Sequence, residues 1–235
     1  MRVCVALSGG RDSVALLHAL KAGGVSVSAL TCGHGVRAAS EEDIAFVQRL
    51  CRDWGVALRV FREDIPARAA AQKRGLEETA RLWRYECFAR VVAEGEADAV
   101  ATAHHRDDLA ETLLFRLARG TSAAGLNAFP AREGIVRPLL GVTRAQIDAY
   151  VAEYALPFVE DESNSDVAFA RNRIRHLVLP ELERAVPGAR DNLVAFAARA
   201  AQDDACLGAL AAEHVRVEAG MVYVPLALPM PRFSR

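Results

Sequence analysis

Lysine is almost missing from this chain of 235 residues, which holds only Lys21 and Lys73. Nearly all the positive charge is therefore arginine. The plain reading is a coding bias; arginine chosen for its planar fork to phosphate has to be judged site by site. An excess of either charge is also lacking: 29 basic residues face 30 acidic ones, for a formal net charge of -1. That balance excludes a protein that coats nucleic acid by bulk electrostatics, but it leaves room for a local basic face. Cysteine pairs are absent. The five cysteines, Cys4, Cys32, Cys51, Cys87 and Cys206, form no Cys-x-x-Cys. An odd, scattered set argues against a zinc ribbon, an iron–sulfur cluster or a disulfide framework, and for reduced thiols in the cytoplasm. The opening Met1–Ser8 lacks the apolar length of a signal peptide, and no apolar run approaches the ~20 residues of a membrane helix. No internal repeat or low-complexity linker appears.

What is present is an ordinary globular composition, 52% hydrophobic and 25% charged. The length suits one large domain, or one domain with an appendage. Apolar runs at Val3–Leu7, Val25–Thr31, Val56–Phe61 and Asp98–Ala103 read as buried strands, with weaker candidates at Val136–Leu140 and Phe158-Val159. Helical periodicity lies between them. It runs through Val14, Leu17 and Leu20, through a segment opened by Ser40 as N-cap, over Leu76–Val92, over Leu109–Leu117, and from Thr143 as cap to Tyr154. Strands separated by helices of this length predict an α/β fold, a Rossmann-like parallel sheet with flanking helices. After about residue 180 the character changes. Asp191 to about His214 is Ala-rich and helical, and an apolar segment begins at Met221. The expected division is residues 1–187 as one unit, with 188–235 as a helical linker and the start of a truncated region.

Two clusters carry chemistry. Ser8-Gly9-Gly10-Arg11-Asp12-Ser13 follows the first strand and opens a helix. Paired glycines let backbone N–H groups approach a phosphate, and the helix N-terminus favours negative charge. The loop has no Gly-Lys-Ser/Thr and no Gly-x-Gly-x-x-Gly, so it is neither a Walker A loop nor a dinucleotide fingerprint. A tight strand–helix turn capped by Asp12 is the bland alternative. The second cluster, His104-His105-Arg106-Asp107-Asp108-Leu109-Ala110-Glu111-Thr112, begins at the end of the fourth strand, which would place it on the same sheet rim. Asp108 and Glu111, three apart, share one helix face. This stretch reads as a capped helix start, as a His/Asp metal site, or as a polar pocket that attracts a cationic amine and takes its proton.

The first cluster resembles the Ser-Gly-Gly-x-Asp-Ser loop of the PP-loop ATP pyrophosphatases. The second resembles the His-His-x-Asp-Asp-x-x-Glu-Thr pattern of the tRNA(Ile)-lysidine synthetase family. Further segments match that family in order: Cys32-Gly33-His34-Gly35-Val36-Arg37, where Gly33 and Val36 stand for the family's Asn and Leu; Ala80-Arg81-Leu82-Trp83-Arg84-Tyr85; Arg119–Leu126; Arg137-Pro138-Leu139-Leu140; and Asp161-Glu162-Ser163-Asn164 with Arg171-Asn172-x-x-Arg175. The resemblance spans about residues 3 to 180. It implies ATP and Mg²⁺ as cofactors, with Ser8, Gly9, Gly10, Arg11, Asp12, Ser13 and His34 on the nucleotide and Asp12 near the metal. It also implies that Asp12, Arg84, His104, Asp108 and Glu111 are catalytic, with the two later acids holding free L-lysine. Arg81, Arg84, Asn172 and Arg175 are implied contacts to a tRNA(Ile) with a CAU anticodon. The implied reaction joins lysine to C2 of the wobble cytidine through an adenylated intermediate. The rivals are another PP-loop tRNA-modifying enzyme, such as a thiolase, and an inert ATP-binding module.

Overall fold

The structure, a computed structural model, describes residues 1–33, 35, 39–160, 167–214, 216–218 and 221–223. Five strands form one parallel sheet: β1 (Arg2–Ala6), β2 (Ser26–Gly33), β3 (Leu58–Arg62), β4 (Ala99–Ala101) and β5 (Ile135–Val136), in the order β3-β2-β1-β4-β5. Val5 pairs with Ala29 on one side and Ala101 on the other. The central strand shows why its run is apolar throughout. Val3, Val5 and Leu7 pack into one core while Cys4 packs into the other, so both faces of β1 are covered. The first core takes Leu16 and Leu17 from α1 (Arg11–Ala22), Val47 and Leu50 from α2 (Ala39–Asp53), and Ile147 and Val151 from α7 (Arg144–Glu153). The second takes Phe88 and Val91 from α4 (Leu76–Ala93). The strand order reverses direction between β1 and β4, and there a doubly wound sheet opens its ligand crevice.

Several boundaries differ from the sequence reading. Ser40 lies inside α2 rather than before it. A short helix, α3 (Ile65–Gln72), was not expected. Its start is set locally, because Asp64 accepts the Ala67 N–H at 2.9 Å and Pro66 stands in the first turn. β5 stops at Val136, and the chain turns at Pro138, which has no N–H to give a ladder. Phe158-Val159 forms no strand; the Val159 N–H instead donates to Gly9 O at 3.0 Å, tying that segment to the glycine loop. Thr143 caps α7 as expected, accepting the Gln146 N–H at 3.2 Å.

The second half continues through α5 (Arg106–Ala118) and α6 (Ala123–Leu126). A longer helical run follows: α8 (Ala170–Arg173), a π-helical stretch over Ile174–Val178, and α9 (Leu179–Ala185). Pro180 explains the π stretch. It has no N–H for the carbonyl four residues back, and its ring crowds that carbonyl, so the turn before it widens. α10 (Ala189–His214) packs on α5 and α6. Its first turn is tied down by Arg190 to Asp107 at 2.7 Å and by Asp191 to Arg106 at 2.8 Å. β6 (Arg216–Glu218) and β7 (Met221–Tyr223) pair as a small antiparallel ribbon. Among the described residues, no helix is long and apolar enough to cross a membrane.

Candidate active site

The glycine loop is shaped by its own side chains. Ser13 Oγ donates to Gly10 O at 2.8 Å and accepts the Ser8 N–H at 3.2 Å, while Ser8 Oγ lies 3.1 Å from Ser13 Oγ. Gly9 sits at φ +85°, and a methyl there would come within 3.2 Å of Phe46 Cδ1. Glycine is thus required twice over, by backbone and by space. Gly10 precedes the first turn of α1, whose amides have no intrahelical acceptor and point at the crevice. Arg11 turns away from them. It donates to Asp148 at 2.7 Å and Glu160 at 2.9 Å and stacks over the Phe158 ring.

Asp12 faces the site. Its Oδ2 accepts from Arg144 at 3.2 Å, and its Oδ1 is buried with no hydrogen-bond partner. Burial raises its pKa above the usual 3.8, against the lowering pull of Arg144 and His105. A buried, unpartnered carboxylate oxygen beside a phosphate loop suits a hard cation.

Across the crevice, α5 begins after the end of β4 and presents the acids. Asp108 Oδ2 accepts the His105 N–H at 3.0 Å, closing the first turn, and Glu111 sits one turn on with 1% of its surface exposed. His104 packs on the Phe129 ring at 4.6 Å and shares a 2.9 Å hydrogen bond between Nδ1 and Thr102 Oγ1. Burial holds its pKa down to about 4, assisted by the charges of Arg137, Arg171 and Arg84 and opposed by Asp108. It is therefore a neutral base at neutral pH. His105 joins the two halves: it is 2% exposed, with Nε2 3.8 Å from Asp12 and 3.6 Å from Asp108.

The acid pair already has cationic partners. Arg175, from the π-helical stretch, donates Nε to Glu111 Oε1 at 2.6 Å and Nη2 to Glu111 Oε2 at 2.9 Å and Asp108 Oδ1 at 3.2 Å. Arg171 adds a longer contact to Glu111 at 3.5 Å. Asp12, His104, Asp108, Glu111 and Arg175 thus fall into one site. Asn172 stands between the two arginines in sequence, on α8. Arg84 is exposed on α4, with its charge reaching His104 and Cys32. Arg81 is engaged by Glu78 at 2.8 Å, an exposed i,i+3 pair. His34 lies outside the described residues, as do Asp161–Asn164.

The sequence reading missed His105, Arg144 and Arg171 as members of the site. His105 was overshadowed by His104, although the end of a strand points neighbouring side chains to opposite sides, so the pair always held two different roles. Arg144 carried a usable signal, because a residue opening a helix after the fifth strand lies on the same rim. Arg171 is four residues before Arg175, the helical spacing that lets both reach one partner.

Residues 1–182 match the family model described as the PP-loop domain. The chain is 43% identical over 195 residues to the tRNA(Ile)-lysidine synthase of Porphyromonas gingivalis, covering 82% of this chain and 43% of that protein. It is 43% identical over 226 residues to that of Geobacter sulfurreducens, covering 92% and 47%. It spans about half the length of the curated relatives it matches. Among solved structures, the U34-tRNA thiolase of Methanococcus maripaludis superposes with a TM-score of 0.72 at 16% identity, over 86% of this chain and 73% of that one. At that identity the likeness carries the fold alone. With the glycine loop, the acid-bearing helix and the parallel sheet all inside the matched residues, the chain belongs to the PP-loop family.

Proposed function

We propose that residues 1–187 are the catalytic unit of a tRNA(Ile)-lysidine synthase, with 188–235 as its helical extension. It uses ATP to join free L-lysine to C2 of the wobble cytidine in a CAU-anticodon tRNA(Ile). The observation that carries this reading is the convergence on one rim of a phosphate loop and an acid pair, joined through His105, in a chain so similar to synthases of that name.

The first step transfers AMP from ATP to the C2 carbonyl oxygen and releases pyrophosphate. The amides of the loop and of the first turn of α1 receive the phosphates, with Ser8 and Ser13 holding the loop's shape. Asp12 would hold Mg²⁺ through its unpartnered Oδ1, with phosphate and water completing the shell, as suits an ion that keeps few protein ligands. Bound there, the ion supplies charge neutralisation at the departing pyrophosphate.

In the second step the lysine ε-amine attacks C2 and AMP leaves. Asp108 and Glu111 attract the ammonium and take the proton the amine must lose to attack, while His104, held neutral beside Asp108, brings no competing charge. Arg84, exposed and with its charge felt at His104, would take an RNA or nucleotide phosphate. Arg81 and Asn172 lie on helices flanking the same rim; freeing Arg81 from its exposed partner costs little.

The test is lysine incorporation. The protein is incubated with ATP, Mg²⁺ and labelled lysine, with and without the CAU-anticodon tRNA(Ile). Label should enter that tRNA alone, with AMP and pyrophosphate as products. Pyrophosphate release that ignores lysine and responds to a sulfur donor would replace this reading with thiolation, and bound nucleotide without turnover would replace it with an inert module.

A further inference from the structure

An acid pair built to receive an ammonium should stand without a cation of its own, and this one does not. Glu111 Oε1 takes Arg175 Nε, and Glu111 Oε2 takes Arg175 Nη2. Asp108 Oδ1 takes Arg175 Nη2, and Asp108 Oδ2 takes the His105 backbone N–H. Each of the four carboxylate oxygens has a donor from the chain itself. Charge is matched as well. Two acids face two guanidinium groups, those of Arg175 and of Arg171 at 3.5–3.8 Å. A third cation entering a site where Glu111 is 1% exposed would be uncompensated.

We propose that Arg175 is the internal occupant of the amine site, and that it leaves the acid pair when the substrate amine enters. This rests on the reading of Asp108 and Glu111 as the lysine-binding acids. Arg175 is the partner suited to move. It belongs to the π-helical stretch Ile174–Val178, and a π turn can rewind and carry its side chain around the helix axis. Its charge also acts on Asp12 as well as on the acid pair. Released from Glu111, it faces the nucleotide side, where an anionic phosphate is the natural partner. The arginine that fills the site of the missing amine then becomes a ligand for the phosphates once the amine is present. The cost of displacing it lowers the apparent affinity for free lysine.

The chain as it stands is treated with an arginine-selective dicarbonyl, and modification is followed peptide by peptide with saturating lysine, with norleucine, which keeps the α-amine but lacks the ε-amine, and with neither. Lysine should speed modification of Arg175 at least about threefold, and norleucine should leave it unchanged. Slower or unchanged modification with lysine would overturn the inference. By equilibrium dialysis with labelled lysine, Arg175→Ala, checked for its fold by circular dichroism, should bind about tenfold more tightly than the parent. Weaker binding would show that Arg175 grips the lysine carboxylate instead. Glu111→Gln separates the two readings. If it binds lysine as well as the parent, or the parent binds none, the acid pair is not the lysine site. If the parent binds lysine, Glu111→Gln does not, and Arg175 stays protected, only the occupancy by Arg175 fails.

Discussion

In the glycine loop Ser8, Gly10 and Ser13 bond to one another across two to five positions, whereas Glu111 finds Arg175 64 positions further along the chain. The two halves of the site share a sheet rim but differ in how they are held. The loop is shaped by neighbours, so its geometry survives small displacements of distant helices. The acid pair is held by the run from α8 to α9, so whatever moves that run changes the pair. The difference also shows in electrostatics. Asp12 keeps a buried oxygen unpartnered, while Glu111 and Asp108 take donors from within the chain. One half keeps a buried acceptor without a partner, and in the other every carboxylate oxygen has a donor.

Breaking the distant half should do the most damage. Glu111→Gln leaves Arg175 without its fork, and removing one partner of a pair this buried costs about 3–5 kcal/mol. Urea unfolding at neutral pH should show the loss, and a change under about 1 kcal/mol would mean the pair adds little. The next effect is one of pH. His104 has a folded pKa of about 4 against an ordinary 6.5, so the unfolded chain takes up its proton first as pH falls. Its contribution is complete above 6.5 and is lost as pH drops toward 4, by about 3 kcal/mol at most. His104→Phe should flatten that part of the stability profile, and parallel profiles for parent and variant would refute burial as the cause.

The local half should respond more modestly. Gly9→Ala forces a side chain into φ +85° against Phe46 and Val47, at a cost of about 1–3 kcal/mol. ATP binding should weaken while lysine binding is spared; loss of both would show that the halves are not separable. The smallest change should come from Arg81→Ala, which removes an exposed pair with Glu78 worth about 0.3–0.5 kcal/mol. Thermal melts should barely move, whereas tRNA affinity should fall if Arg81 meets phosphate.

The parts legible in the sequence were those decided by short-range patterns. Val3–Leu7 announced a buried central strand because both its faces are covered, and Ser8–Ser13 announced a phosphate loop because glycine, helix start and hydroxyls stand in register. Thr143 with Gln146 announced a helix cap. What failed were segments whose state depends on neighbours far away. Phe158-Val159 looked like a strand, yet its partner is a single loop carbonyl at Gly9. The contact of Arg175 with Glu111, 64 positions away, had no local signal at all.

By itself, the sequence determined the alternation of strands and helices, the chemistry of the two clusters and their place at strand ends, because apolar period, caps and glycine loops act over a few residues. Only the tertiary structure decided that β1 and β4 are neighbours, that His105 lies between Asp12 and Asp108, and that Arg175 pairs with Asp108 and Glu111. Those depend on strand order and on the widened turn before Pro180, and so on how distant segments share one buried, charge-balanced crevice.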